Sequence, residues 1–175
     1  MNKKLKIPAI NKYFTILSGR RLLNAYINAV GDKSCMTGKK HAKLVQFYAD
    51  FPTQIKLLVY QKTKARALLW KPDKGKLIID KIYTKLDNEL VYSKYEEWAK
   101  YNKAIIEYNI PNNTSITLEK SAIRLNIPHI DTFNFCDIKN KKLILKLEDY
   151  SSLYSYHIDD LSEAIADNLE EILPL

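Results

Sequence analysis

Cys35 is the side chain whose surroundings in the sequence point most directly to chemistry. It precedes a predicted helix start and lies between Lys33 and the pair Lys39 and Lys40. A helix N-terminus and nearby cations both lower the pKa of a thiol and favour the thiolate, which is the nucleophilic form. The pattern therefore predicts a candidate catalytic nucleophile, although no histidine is placed by sequence to act as its base. A small buried side chain beside Met36 is the alternative interpretation.

Charged residues inside apolar segments form a second candidate site. Arg66 opens one apolar segment, Asp80 closes another, and Asp131 lies in a later one. One interpretation is a cross-strand ion pair between Arg66 and Asp80 that stabilises a sheet. The other is a polar pocket suited to acid–base chemistry or ligand binding. The candidate pocket residues are Arg66, Asp80, Tyr83, His129 and Asp131.

The spacing of metal-ligating residue types predicts no metal site and no cofactor. The chain has three histidines and two cysteines, with no C-x-x-C or H-E-x-x-H arrangement. Its four glycines form neither a G-x-x-x-x-G-K loop nor a G-x-G-x-x-G loop, so no loop for nucleotide phosphates is predicted. Cys35 and Cys136 are predicted to be free thiols, because a lone pair of cysteines in a cytosolic chain seldom forms a structural disulfide.

The charge of the chain is divided between a basic body and an acidic end. Residues 1–146 hold all 28 Lys and Arg residues and 12 acidic residues, a formal charge of +16. Residues 147–175 hold eight acidic residues and no basic one, a charge of −8. The basic body attracts polyanions, although lysines spread over solvent-facing surfaces are the alternative interpretation. The residues predicted to contact a polyanion are Lys3, Lys4, Arg20, Arg21, Lys33, Lys39, Lys40 and Lys43.

Apolar periodicity predicts two helices followed by an antiparallel meander. The first helix lies within Ile10–Val30 with Ser18 as its cap, and the second covers Lys39–Phe51. The period then changes to that of strands. Strands are predicted over Ile55–Tyr60, Ala65–Lys71 and Lys76–Thr84.

The remaining elements complete a predicted α+β fold. A third helix begins after Asp87 and runs to about Lys103. Further strands are predicted over Ala104–Tyr108, within Ile116–Ile127, and in a hairpin of Thr132–Asp137 and Lys142–Leu147. The acidic end, capped near Asp159, is predicted to be an amphipathic helix. The chain is thus expected to form one domain over residues 1–175, with a mainly antiparallel sheet of about five to seven strands covered by helices.

No segment of the sequence predicts a membrane span or a secretion signal. The longest apolar stretches, Leu57–Tyr60 and Ala67–Trp70, fall far short of the roughly 20 residues that a membrane helix needs. The basic N-terminus is not followed by an apolar core, because Pro8 and Lys12 interrupt it. We therefore expect a protein of the cytoplasm.

Five short segments, in the same order, resemble motifs of an uncharacterised family of bacteriophage and prophage proteins. They are Ser34-Cys35-Met36, Tyr48 with Pro52, Arg66-Ala67-Leu68-Leu69-Trp70, Asp80-Lys81-Ile82-Tyr83 and Pro128-His129-Ile130-Asp131-Thr132-Phe133. The family reads S-C-M, N-P, G-R-A-L-L-W, D-R-I-Y and P-Y-x-D-T-F at these places. This chain departs from it at Phe51, Ala65, Lys81 and His129. The resemblance, which runs from about Ser18 to Phe135, implies a viral origin in a bacterial host and no particular activity.

The order of helix, meander, helix and strand also resembles that of acyl-CoA acetyltransferases. Enzymes of that family need a glycine-bearing loop for the pyrophosphate after the third strand. Residues 84–88 of this chain contain no glycine. We therefore expect no acyl-CoA site.

These features favour a phage-encoded accessory protein that binds a nucleic acid or a host complex that handles nucleic acid. Inhibition of a host defence, in the manner of an anti-CRISPR protein, is one such role. This expectation depends on the basic body, because phosphate contacts by Lys and Arg dominate the affinity of proteins for nucleic acids. A small enzyme with Cys35 as nucleophile and Arg66, Asp80 and Asp131 in its pocket is the alternative, and a structural component of the virion is a second.

Overall fold

Two β-sheets and the helices that cover them form the fold. The structure, a computed structural model, describes residues 9–30, 36–85, 89–119, 128, 130, 132–133, 135–139 and 142–146. These residues form an α+β fold with a mainly antiparallel sheet, which confirms the predicted fold class.

The larger sheet has five strands in the order β1-β2-β3-β4-β5. Its strands are β1 Phe14–Leu17, β2 Ile55–Tyr60, β3 Arg66–Trp70, β4 Ile78–Ile79 and β5 Ile105–Ile106. The α-helices of the described residues are α1 Arg20–Ile27, α2 Ala42–Asp50 and α3 Glu89–Asn102. Short 3-10 helices cover Ala9–Tyr13, Lys39–His41 and Glu107–Asn109. A second, antiparallel sheet has the order β6-β8-β7, with β6 Ser115–Glu119, β7 Phe135–Lys139 and β8 Lys142–Lys146.

The five-stranded sheet is buried on both faces. β2 and β3 contain the continuous apolar runs Leu57–Tyr60 and Ala67–Trp70, a pattern typical of strands that are covered on both sides. On one face, Trp70 packs in a cluster with side chains of α1, α2, β6 and β8. On the other face, Leu58 packs in a cluster with side chains of α3. The sheet therefore lies between α3 and a layer made of α1, α2 and the second sheet.

A buried tyrosine fixes α3 to the sheet. The Tyr95 hydroxyl donates its proton between two carbonyl oxygens, that of Leu58 at 3.0 Å and that of Ala65 at 2.9 Å. Burial raises the pKa of Tyr95 far above its ordinary value, so the phenol stays neutral. Because the two carbonyls lie on opposite sides of the β2–β3 turn, this hydroxyl ties α3 to the hairpin.

Asp73 joins the second sheet to the turn that follows β3. Its carboxylate accepts hydrogen bonds from the Ser115 hydroxyl at 2.9 Å, the Thr117 amide at 2.8 Å and the Thr117 hydroxyl at 2.9 Å. The Asp73 amide donates in turn to the Ser115 carbonyl at 2.9 Å. Leu145 of β8 lies in the core cluster between the sheets. The two sheets therefore share one core.

The helix predicted within Ile10–Val30, with Ser18 as its cap, is confirmed as α1, Arg20–Ile27. The residues before it form a 3-10 helix and the edge strand β1, which pairs antiparallel with β2. Aromatic and β-branched residues in the β1 sequence Phe-Thr-Ile-Leu favour a strand. Gly19, with a φ of 54°, occupies the cap position predicted for Ser18. Glycine adopts a positive φ at little cost, so the chain can turn sharply here from strand to helix.

The predicted meander of β2, β3 and β4 is confirmed, but the strand beyond it is parallel. Regular pairing within the predicted strand Lys76–Thr84 is limited to β4, and the chain meets β3 again where Tyr83 bridges Arg66. α3 then leads to β5, which pairs parallel with β4. Beyond Ile79 the chain follows β3, whereas beyond Ile106 it enters a 3-10 helix. The two parallel strands therefore separate at their carboxyl ends, the end at which α3 begins.

Some predicted elements lie outside the described residues. They are the acidic C-terminal helix, the cap at Asp87 and the segment 120–127. The hairpin predicted around Ile138–Lys141 is confirmed as β7 and β8. In the described ranges, no helix combines the length and the apolar character that crossing a membrane requires.

Candidate functional site

A small group of buried polar side chains lies on the face of the large sheet that α1 and α2 cover. Among residues whose exposure is described, the buried polar or charged side chains are Arg66, Asp80 and Thr132. Sequence reasoning selected Arg66 and Asp80 because each interrupts an apolar run. A buried charge is costly unless hydrogen bonds compensate it, so the contacts of these groups decide their role.

The Asp80 carboxylate is held by donors from three directions. It is 3% exposed and accepts a hydrogen bond from the Trp70 indole Nε1 at 2.8 Å. The other carboxylate oxygen accepts from the Lys81 amide at 2.7 Å and from the Thr132 hydroxyl. Its own amide donates to the Leu68 carbonyl at 2.9 Å. A carboxylate occupied in this way locks β4 to β3 and to the segment that carries Thr132.

The Arg66 guanidinium lies against two tyrosine rings. It is fully buried, and its Cζ is 4.5 Å from the ring centroid of Tyr26 and 5.0 Å from that of Tyr83. Its Nε donates to the Val30 carbonyl at 2.7 Å, just beyond the end of α1. Arginine over an aromatic face is favourable, more so when water is excluded. Arg66 thus connects β3, the end of α1 and the strand extension at Tyr83.

The sheet register separates the two charged residues along β3. The Asp80 amide bonds the carbonyl of Leu68, whereas Arg66 exchanges two backbone hydrogen bonds with Tyr83, at 2.9 and 2.8 Å. The expected cross-strand ion pair requires Arg66 and Asp80 to lie directly opposite each other. The register shows that they do not. The pairing shifts by one residue between Ile79 and Tyr83, because Leu69 opposes Ile79. Sequence periodicity contains no signal for such a shift.

Several predicted site residues lie outside the described part of the chain. They are Cys35, His129, Asp131, Lys3, Lys4 and Lys33. Three of the five pocket candidates, Arg66, Asp80 and Tyr83, lie in this layer: half-buried Tyr83 contacts Arg66, and Thr132, next to Asp131 in the sequence, contacts Asp80. Within the described ranges, no three His, Cys, Asp or Glu side chains form a group that could hold a metal ion.

The five described basic candidates are all exposed, but they lie at two ends of a helix pair. The Gly38 amide, just before α2, donates to the Tyr26 carbonyl near the end of α1 at 3.1 Å. Gly19, just before α1, lies near the Ala49 carbonyl close to the end of α2. The helices therefore run antiparallel, and α1 is about 12 Å long. Arg20 and Arg21 lie at one end, and Lys39, Lys40 and Lys43 at the other.

A further surface combines lysines with an exposed tyrosine. Tyr13, the last residue of the 3-10 helix before β1, is 43% exposed, and the Lys62 Nζ lies 5.0 Å from its ring centroid. The Tyr13 carbonyl accepts from the Gln61 amide at 2.8 Å. Sequence reasoning missed this surface, because Tyr13 lies before the predicted cap at Ser18, in a segment to which no strand or site was assigned. The strand-like sequence that directly follows Lys12-Tyr13 is the signal that points to it.

No protein-family model matches the chain. A search of the curated proteins found no relative.

Proposed function

We propose that this protein is a bacteriophage or prophage accessory protein that acts by binding a nucleic acid, or a host complex that handles nucleic acid. It would act in the cytoplasm of the bacterial host, as an inhibitor of host defence. Phosphate contacts by Lys and Arg dominate the affinity of proteins for nucleic acids. The charge of +16 over residues 1–146 is the observation that carries this proposal.

The placement of the charge supports binding. Among the residues whose exposure is described, Arg66 is the buried cation, and no lysine is buried. The lysine side chains there reach solvent and are available for phosphates. The end of the helix pair with Lys39, Lys40 and Lys43 lies beside Tyr26, which contacts Arg66 near the start of β3. Because β2 ends where β3 begins, this end of the molecule also carries Tyr13 and Lys62.

The buried contacts of Arg66 and Asp80 favour binding over the enzyme alternative. A general base or an anion-binding arginine must reach its substrate. Asp80 accepts from Trp70, Thr132 and the Lys81 amide, and Arg66 is fully buried against two rings. Both side chains therefore act in stabilising the fold. The enzyme alternative then depends on Cys35 and Asp131, which lie outside the described residues.

Charge reversal at the lysine end of the helix pair tests the proposal. We expect Lys39→Glu, Lys40→Glu and Lys43→Glu together to weaken binding of labelled DNA and RNA oligonucleotides roughly tenfold or more at low salt, because phosphate contacts become repulsions. Fluorescence anisotropy with single-stranded and duplex probes measures the change.

A matched triple variant separates a local site from net charge. Lys71, Lys74 and Lys76 are exposed in the turn between β3 and β4, at the opposite end of the sheet. Their replacement by Glu changes the net charge equally, and we expect a smaller loss of affinity. Equal losses in both variants would contradict a binding surface at the Lys39 end. If the wild type binds neither DNA nor RNA and no host nucleoprotein co-purifies with it, the proposal itself is contradicted.

A further inference from the structure

Tyr13 and the lysines around it form an exposed surface. The proposed binding through positive charge does not by itself select this surface from the other basic parts of the chain. We call Tyr13, Lys12, Lys62, Lys64 and Lys94 the Tyr13 surface. We infer that it binds single-stranded nucleic acid by stacking an unpaired base on the tyrosine ring while the lysines hold the flanking phosphates. This inference rests on the proposed function and names both the site and the class of ligand.

The backbone of the Tyr13 surface is firmly held. The Tyr13 carbonyl accepts from the Gln61 amide at 2.8 Å, and the Gln61 side chain donates to the Thr15 hydroxyl. The Lys64 Nζ donates to the Gln61 Oε1 at 3.1 Å. These contacts connect the start of β1 to the β2–β3 turn. The tyrosine is therefore presented from a fixed position, which lowers the entropic cost of binding.

The charge of the surface complements a phosphate backbone. Lys12, Lys62 and Lys64 are exposed, and Lys94 is the neighbour of Tyr95, whose ring centroid lies 5.0 Å from that of Phe14, the residue after Tyr13. Glu97 contacts Lys94 at 2.8 Å and offsets one of the four positive charges. An excess of positive charge beside an exposed ring is the combination used by proteins that bind single strands.

The ring itself favours an unpaired base over a paired one. The Lys62 ammonium lies over Tyr13 in a contact that is weak at an exposed site. A base can replace the ammonium on the ring, and the flexible lysine can then turn to a phosphate. Duplex DNA keeps its bases stacked inside the helix, so only a single strand offers a base face without unpairing.

Tyr108 provides the contrast. It is more exposed than Tyr13, at 66%, but its hydroxyl donates to the Glu96 carboxylate at 3.0 Å. Its ring thus lies beside a negative charge, which repels phosphate. Exposure alone does not make a stacking platform, and Tyr108 serves as the control.

The inference is tested by anisotropy titrations with labelled oligothymidylate and oligouridylate. A length of about 12 nucleotides falls within the site sizes of proteins that bind single strands. We expect Tyr13→Ala to weaken binding roughly 5- to 100-fold, Tyr13→Phe to restore most of it, and Tyr108→Ala to leave it unchanged. Lys62→Glu, on an exposed turn, should also weaken binding and does not depend on packing around β1. Circular dichroism confirms that each variant is folded.

The outcomes separate the two proposals. If the wild type binds and Tyr13→Ala and Lys62→Glu bind as tightly as Tyr108→Ala, the Tyr13 surface is not the site, while the proposed function stands. If duplex of the same length binds as tightly as the single strand and responds equally to Tyr13→Ala, base stacking is excluded. If neither oligonucleotide nor duplex binds the wild type, this inference fails, and the proposed binding of nucleic acid fails with it.

Discussion

Replacing Asp80 by alanine is expected to destabilise the protein by about 3–4 kcal/mol, because it leaves buried donors without their acceptor. The Trp70 indole and the Thr132 hydroxyl both donate to this carboxylate inside the core, and the Lys81 amide donates at its edge. Each buried donor that loses its acceptor costs about 1–3 kcal/mol. Urea-induced unfolding followed by tryptophan fluorescence measures the change.

Asp80→Asn is the matched control for this prediction. The amide keeps one oxygen for the Trp70 indole, and its NH₂ group can donate to the Thr132 hydroxyl oxygen. The Lys81 amide then faces a donor. We expect a loss of about 1–2 kcal/mol, between the wild type and alanine. An Asp80→Ala protein as stable as the wild type would show that these hydrogen bonds do not hold the sheet together.

Replacing Arg66 by alanine is expected to cost about 3–5 kcal/mol. The change removes the contacts with the Tyr26 and Tyr83 rings, leaves the Val30 carbonyl without its donor and opens a cavity beside β3. Arg66→Lys should recover only part of the loss, because an ammonium cannot reproduce the planar contact with the rings.

Lys64→Ala is the control for Arg66, since this lysine is exposed two residues earlier and should change stability by less than about 0.5 kcal/mol. Chemical denaturation of the three variants gives the ranking. If Arg66→Ala keeps its stability but loses ligand binding, Arg66 belongs to a binding site and its structural role is wrong.

Local sequence patterns predicted those parts of the fold in which segments close together in the chain pack or pair with each other. The β2–β3 hairpin, α2, α3 and the β7–β8 hairpin follow from apolar periodicity and turn residues, because neighbouring segments pair with each other. The edge strand β1 was missed, since Phe14–Leu17 becomes a strand only by pairing with β2, which is distant in the chain. The parallel pairing of β5 with β4 was missed for the same reason.

Apolar sequence context singled out Arg66 and Asp80, but it predicted neither the contacts of Asp80 with Trp70 and Thr132 nor the geometry of the group. A charge inside an apolar run, as at Arg66 or Asp80, is a strong signal of a special role. Whether that role is structural or chemical depends on donors such as Trp70 and Thr132, which the register and the tertiary fold bring together. The contact of Lys62 with Tyr13 joins the β2–β3 turn to the end of the first 3-10 helix, and no local sequence pattern predicts it.

The salt dependence of oligonucleotide binding by the wild-type chain is the most direct test of binding through exposed lysines. A single strand that contacts four lysines should bind roughly 50-fold more weakly at about 200 mM salt than at about 50 mM, because bound counterions are released on association. Absence of binding at low salt, or an affinity that does not change with salt, would contradict the proposal that this basic surface binds nucleic acid.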